Sequence, residues 1–242
     1  MTRRSQAERV GGTAAVLAQH QTGDETTVCI ETNAGIVPVT TRRLGEDPYT
    51  AWMRQPLPTV SPVPGRTGRS ASGRTRAPEE SAAHHPPRRR HPHLYVMADS
   101  PAAVAAIVPD FPALGRAARE SRARINVFAL TGPDTAVTRM FSPYDRLPED
   151  SACGSAAGPL AAYLVRHQVL DSGIQLTLSQ GEAVNRPSTR YARATAEQDE
   201  IHTIDVGGGV CLIGAGHLRL PVRAPVDTPE RAAPSPGERV GC

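Results

Sequence analysis

A helix opening at Gly154 (G-S-A-A-G-P-L-A-A-Y-L-V) constrains the fold more than any other feature of the chain. Leu160, Leu164 and Val165 share its surface with Ala156, Ala157 and Ala161, and the apolar character runs on to Val169. A helix apolar on nearly every side is stable only when buried. Other elements must therefore wrap it, and the flanking sequence supplies strands. Thr26 to Glu31 and Ile36 to Thr41 alternate about a Thr32–Gly35 turn and predict a hairpin. Further strands are expected at 50–55, 94–98, 126–130, 135–141, 174–179, 190–194, 201–206 and 210–213. Thr13 to His20 reads as the end of a helix that Gly11 and Gly12 precede. Ser100 caps a helix carrying Val104, Ile107 and Val108, and another covers 111–120. Strands about a central apolar helix make an α+β architecture.

The loop entering that helix is the candidate site. It carries Glu149 and Asp150 and leads through Cys153 into Gly154, Ser155 and Ala156. The first N–H groups of a helix lack internal partners and carry part of the helix dipole. Small residues there let a carboxylate or phosphate reach the backbone. A loop carboxylate beside such an anion site feels a second negative charge, which raises its pKa toward use in proton transfer. A capped core helix with a glycine-containing entry loop would show the same residues, and the residues alone leave both readings open.

Composition excludes several chemistries. All 27 basic residues are arginine, so Schiff-base, lysine-base and lysine-bound pyridoxal chemistry have no amine to use. No apolar run approaches a membrane span, and no apolar stretch follows the N-terminal arginines as a secretory signal requires. Cys29, Cys153, Cys211 and Cys242 show no C-x-x-C spacing, so neither a metal site nor a redox pair is expected. Cys29 and Cys211 read as small core residues of a cytoplasmic protein. From Pro64 to His93 there are seven arginines, two glutamates and five prolines, with no aliphatic side chain beyond alanine before Leu94. The whole chain is only +3, so the remainder is mildly acidic. Without apolar side chains such a strip cannot offset its ordering entropy, and it reads as a solvated linker rather than a nucleic-acid patch. The expected organisation is a partial first lobe at 1–63, a disordered segment at 64–92, a second lobe at 93–221 with its central helix from about 154, and a disordered tail at 222–242.

The same residues carry a resemblance. Arg139-Met-Phe141-Ser-Pro143 followed by Glu149-Asp150 through Leu164 is similar to R-x-F-x-P and E-D-P-A-T-G-S-A-A-G-P-L-A-A-Y-L of the PhzF-like phenazine-biosynthesis family, with Ser151 in place of Pro and Cys153 in place of Thr. Glu31-Thr-Asn-Ala-Gly35-Ile-Val-Pro-Val39, His93-Leu-Tyr-Val96 with Ser100-Pro-Ala-Ala-Val104, Gln180-Gly181 with Arg186-Pro-Ser188, and Val206-Gly-Gly-Gly209 resemble further family motifs in the family's order. So does Gly216-His-Leu-Arg-Leu220, as a closing strand. The resemblance implies a diaminopimelate epimerase-like fold of two similar lobes, each with strands around a central helix, the first lobe here incomplete. It implies a cofactor-free, metal-free isomerase acting by proton transfer on a small carboxylic acid in secondary metabolism, and a homodimer. Asp150 takes the role of the acidic proton-transfer or substrate-contacting residue, while Gly154, Ser155 and Ala156 hold substrate, Ser155 also through its hydroxyl.

Two departures bear on this. The family's glutamate in an S-E-T/S stretch precedes anything present here, and Gln6-Ala-Glu-Arg9 stands where its G-H-P-T is expected. The chain resembles a family member lacking its opening segment, as a frameshift or misassigned start would produce. Two alternatives follow: a cysteine-based amino-acid epimerase, because Ala152-Cys153-Gly154-Ser155 matches part of A-C-G-[ST]-G and a helix terminus lowers a thiol's pKa, or a catalytically degenerate member.

Overall fold

The structure, a computed structural model, describes residues 6–21, 23–32, 35–44, 48–62, 80–83, 92–121, 123–143, 147–198, 200–214 and 216. Helix α1 (Gln6–Ala18) leads into hairpin β1 (Glu25–Thr32) and β2 (Gly35–Arg43), then β3 (Pro48–Gln55) and β4 (Thr59–Pro62). After β5 (Glu80–Ala83) and β6 (His93–Met97) come α2 (Pro101–Ala105) and α3 (Phe111–Ser121). Strands β7 (Arg124–Leu130), β8 (Thr135–Ser142) and β9 (Leu147–Asp150) precede α4 (Gly154–Arg166). Strands β10 (Gln175–Gln180), β11 (Ser188–Glu197) and β12 (Glu200–Cys211) follow. The strands join one mixed sheet in the order β1-β2-β3-β12-β11-β10-β8-β7-β6-β5-β4, with β9 paired to β8. The α+β expectation holds.

The sheet curls about two helices. Leu160 and Leu164 of α4 pack into a core with Tyr95, Phe128, Leu176, Leu178 and Ile204. Val10 and Ala14 of α1 pack on Val37, Val39, Ala51 and Met53. Strand β12 serves both cores. Its Ile204 and Val206 lie against α4, its Val210 lies against α1, and it pairs with β3 on one edge and β11 on the other.

Several local expectations are corrected. Strands expected at 201–206 and 210–213 are one strand, because Gly207 is a close-approach residue and not a turn. A Cβ on Gly207 would stand 2.6 Å from the Trp52 ring. Gly11 and Gly12 lie inside α1, since burial of Val10 and Ala14 outweighs glycine's weak helix propensity. Helix α4 ends at Arg166, where Gln168 turns left-handed at φ 56°, and Val169 emerges into solvent. Ser100 Oγ does cap α2, accepting from Ala103 N–H at 3.1 Å, but α2 ends at Ala105 and leaves Val108 exposed. Cys29 and Cys211 are exposed because strand alternation turns them away from Val28, Ile30 and Val210; Cys29 is disulfide-bonded. Of the strip at 64–92, Glu80–Ala83 forms β5, whose backbone pairs with β4 and β6. Most of the remaining strip, residues 217–220 and the tail at 222–242 lie outside the described residues.

At Gly158, α4 lies close against β3 and β12. A Cβ there would collide with Gln55 Oε1 and stand 2.6 Å from Ile204 Cγ2. Gly158→Ala sets a helix-propensity gain of about 1 kcal/mol against an overpacking loss of about 1–3 kcal/mol. The expected outcome is a net loss of up to roughly 2 kcal/mol in urea unfolding. An unchanged or stabilised variant would show that α4 can lift off β12.

Candidate active site

Strand β9 sorts the two neighbouring carboxylates. It pairs with β8 so that Glu149 faces Phe141 and Asp150 faces Met140. Successive residues point to opposite sides of a strand. Glu149 meets the Arg139 guanidinium in a two-pronged pair, Nε to Oε1 at 2.9 Å and Nη2 to Oε2 at 2.8 Å. Both side chains are buried, at 8% and 6% exposure. Arg139 Nη1 also donates to the carbonyls of Ile107 at 2.7 Å and Val104 at 3.3 Å. Glu149 is thus occupied in tying β9 to β8.

Asp150 has no ion-pair partner among the described residues. Its Oδ1 accepts from Ala152 N–H at 3.3 Å. Burial pushes its carboxyl above the usual carboxylate value, opposed by the Ala152 N–H and by Arg190, Arg124 and Arg186. The backbone around it is held from β10 and β11. Gln180 Nε2 donates to the Asp150 carbonyl at 2.5 Å, and Gln180 Oε1 accepts from Arg190 Nη2 at 2.7 Å and Thr138 Oγ1 at 3.0 Å. Ser188 Oγ donates to the Ser151 carbonyl at 2.7 Å. Gly181 holds φ at 91°, a conformation that side chains disfavour, and a Cβ there would collide with the carbonyl oxygens of Arg186 and Ser151.

Cys153 is the extended N-cap of α4 and makes no side-chain cap. Ala156 N–H reaches the Cys153 carbonyl at 3.2 Å, whereas the Gly154 and Ser155 N–H groups have no acceptor among the described residues. The first turn is anchored from behind: Gln55 Nε2 donates to the Gly154 carbonyl at 3.2 Å and Tyr95 Oη to the Ala156 carbonyl at 2.7 Å. Ser155 Oγ lies 3.1 Å from His93 Nε2 and 3.3 Å from Cys153 Sγ. The expected lowering of the Cys153 pKa is overturned. The thiol is 1% exposed, and burial, with Asp150 adding to it, pushes it up against weaker pulls from Ser155, Arg124 and Arg190.

A cleft of about 1060 Å³ opens between α1, the α4 entry and the ends of β11 and β12. Asp150, Ala152 and Gly154 line it, together with Gly11, Arg186 and Arg190. Cys153, Ser155 and Ala156 are not among the lining residues: Cys153 and Ala156 are buried, and Ser155, next to the lining Gly154, is half-buried. The sequence reading thus placed Asp150 and Gly154 at the cleft. No role is assigned there to His93 or Gln180, although each stands inside a quoted motif, nor to Arg190, which enters only as the start of an expected strand. Among the described residues no group of three or more His, Cys, Asp or Glu is placed to hold a metal ion. None of their helices is long and apolar enough to cross a membrane.

Known proteins are similar to this chain in sequence and in fold. Trans-2,3-dihydro-3-hydroxyanthranilate isomerase of Pseudomonas chlororaphis is 34% identical over 211 residues, covering 86% of this chain and 72% of that protein. The enzyme of the same name from Pseudomonas aeruginosa is 33% identical with the same coverage. The crystal structure of the Bacillus anthracis phenazine biosynthesis protein of the PhzF family superposes with a TM-score of 0.66 at 18% identity, covering 86% of this chain and 74% of that one. The family model described as phenazine biosynthesis-like protein matches residues 10–216. With that match, and with relatives that are isomerases, the chain belongs to the phenazine biosynthesis-like family and is an isomerase of that family.

Proposed function

We propose that this isomerase moves a proton within a small unsaturated carboxylic acid, without a cofactor, and that its substrate is the trans-2,3-dihydro-3-hydroxyanthranilate of its relatives' names. The observation that carries the reading is Asp150, a carboxyl with a raised pKa and no ion-pair partner among the described residues, lining one cleft with Gly154, the first residue of α4. The substrate carboxylate accepts from the Gly154 and Ser155 N–H groups, facing Arg186 and Arg190. Ionised Asp150 takes a proton from a substrate carbon, and the C–H electron pair enters the adjacent unsaturated system. The protonated carboxyl exchanges its proton with solvent in the open cleft and then delivers a proton to another carbon, so a double bond shifts and Asp150 is regenerated. Burial suits Asp150 to this task because its acid and base forms lie closer in energy than those of an exposed aspartate. A homodimer belongs to the proposal on the family resemblance alone.

The test is incubation of the chain with this acid in deuterated water, read by mass spectrometry and by the shift of the double bond. Deuterium incorporation with isomerisation is expected. No incorporation into the acid overturns the reading in favour of a degenerate member. Cys153→Ala separates the thiol alternative: a buried thiol held in its protonated form is a poor base, so incorporation is expected within about threefold of the parent. Loss of incorporation in Cys153→Ala, with retention in Asp150→Asn, would transfer the chemistry to the thiol.

A further inference from the structure

Behind the α4 entry lies a buried polar chain that the reaction above does not use. His93 and Asn126 are 1% and 4% exposed. Asn126 Nδ2 lies 3.0 Å from His93 Nδ1 and 3.3 Å from the Arg124 carbonyl. A carbonyl oxygen can only accept. The Asn126 atom facing it is therefore the amide nitrogen, and that same nitrogen donates its second hydrogen to Nδ1. Nδ1 then carries the lone pair, and the imidazole is the Nε2–H tautomer. Its Nε2–H points at Ser155 Oγ, 3.1 Å away. A serine oxygen that accepts on one side must send its own hydrogen elsewhere. Cys153 Sγ, at 3.3 Å, is the neighbour that can take it, and thiol sulfur is a weak acceptor.

We infer that His93 is a positioning residue for isomerisation: fixed by Asn126, it occupies a lone pair of Ser155 and presents the Ser155 hydroxyl as a donor to the anionic oxygen of the substrate at the start of α4. The inference rests on the proposed function. Without substrate the hydroxyl rests on the Cys153 sulfur. An arriving anionic oxygen competes well, because hydrogen bonds to ionised acceptors are about twice as strong as neutral ones. Free rotation of Ser155, as an alternating donor and acceptor, would forfeit that preorganisation.

The experiment joins deuterium incorporation from trans-2,3-dihydro-3-hydroxyanthranilate to nitrogen-15 imidazole spectra of the full chain. One imidazole, identified by its loss in His93→Asn, is expected to carry its proton on Nε2. His93→Asn removes the donor facing Ser155 and is expected to slow incorporation by about tenfold or more. His93→Gln places an amide nitrogen near the lost Nε2 and is expected to restore most of the rate. In a Ser155→Ala background, His93→Asn is expected to cause no further loss. Thermal melts identify a His93 variant that does not fold, and Ser155→Ala, which removes a half-buried hydroxyl, then carries the test through its own tenfold loss. A proton on Nδ1, or losses from His93 and Ser155 that multiply in the double variant, overturns the inference alone. No incorporation by the parent chain overturns the proposed function and this inference with it.

Discussion

Asp150→Asn is expected to lower deuterium incorporation by between about a hundred- and ten-thousandfold, the usual contribution of a positioned acid–base group, and to leave the fold intact. Asparagine keeps the shape and the Oδ1 that accepts from Ala152 N–H. It cannot hold a mobile proton. Stability should move the other way. Burial raises the Asp150 pKa, so the folded state binds that proton more tightly than the unfolded chain. The penalty for ionising Asp150 grows as pH rises from the unfolded value through the raised folded one, and is constant above. Asparagine removes that penalty, so the variant should melt at or above the parent temperature at neutral pH, the difference fading in acid. The incorporation rate of the parent, which needs ionised Asp150, should rise with pH through a midpoint above that of an ordinary aspartate. A variant that keeps its rate would remove Asp150 from the chemistry, and one that unfolds would overturn the stability expectation.

The sequence could not show which of two adjacent carboxylates is available. Glu149 and Asp150 differ by one methylene, and their fates diverge only because β8 places Arg139 where Glu149 meets it. That register is long-range information. The apolar surface of α4 was legible because burial on all sides leaves a compositional signature. The hairpin of β1 and β2 was legible because alternation about a glycine turn is local. Gly207 misled for the opposite reason. A glycine run reads as a return, and only Trp52, packed across from a distant strand, makes it a strand position. Cys153 misled likewise: a helix terminus lowers a thiol's pKa where solvent and cations reach it, and here Met140 and Ala156 enclose the sulfur. Motif positions such as His93 and Gln180 announced themselves as residues without announcing what they touch.

Arg139→Met is expected to be the most destabilising single change near the site, by about 3–5 kcal/mol in urea unfolding. It strands the Glu149 carboxylate at 6% exposure with neither prong of its partner, and it releases the Val104 and Ile107 carbonyls. Glu149→Gln should cost less, about 1–3 kcal/mol, because the amide oxygen still accepts one guanidinium N–H and Arg139 keeps both carbonyls. The double variant Arg139→Met/Glu149→Leu should lose less than the two separate replacements combined, since no charge remains buried and apolar replacements of such pairs are often near neutral. The pair also sets the rigidity of β9, one residue from Asp150. Glu149→Gln should therefore slow incorporation more than its small stability loss explains at temperatures where the chain is fully folded. Strict additivity of the single replacements, or an incorporation rate indifferent to Glu149→Gln, would mean that β9 is held in place by its backbone and by Gln180 alone, with the ion pair contributing nothing to the position of Asp150.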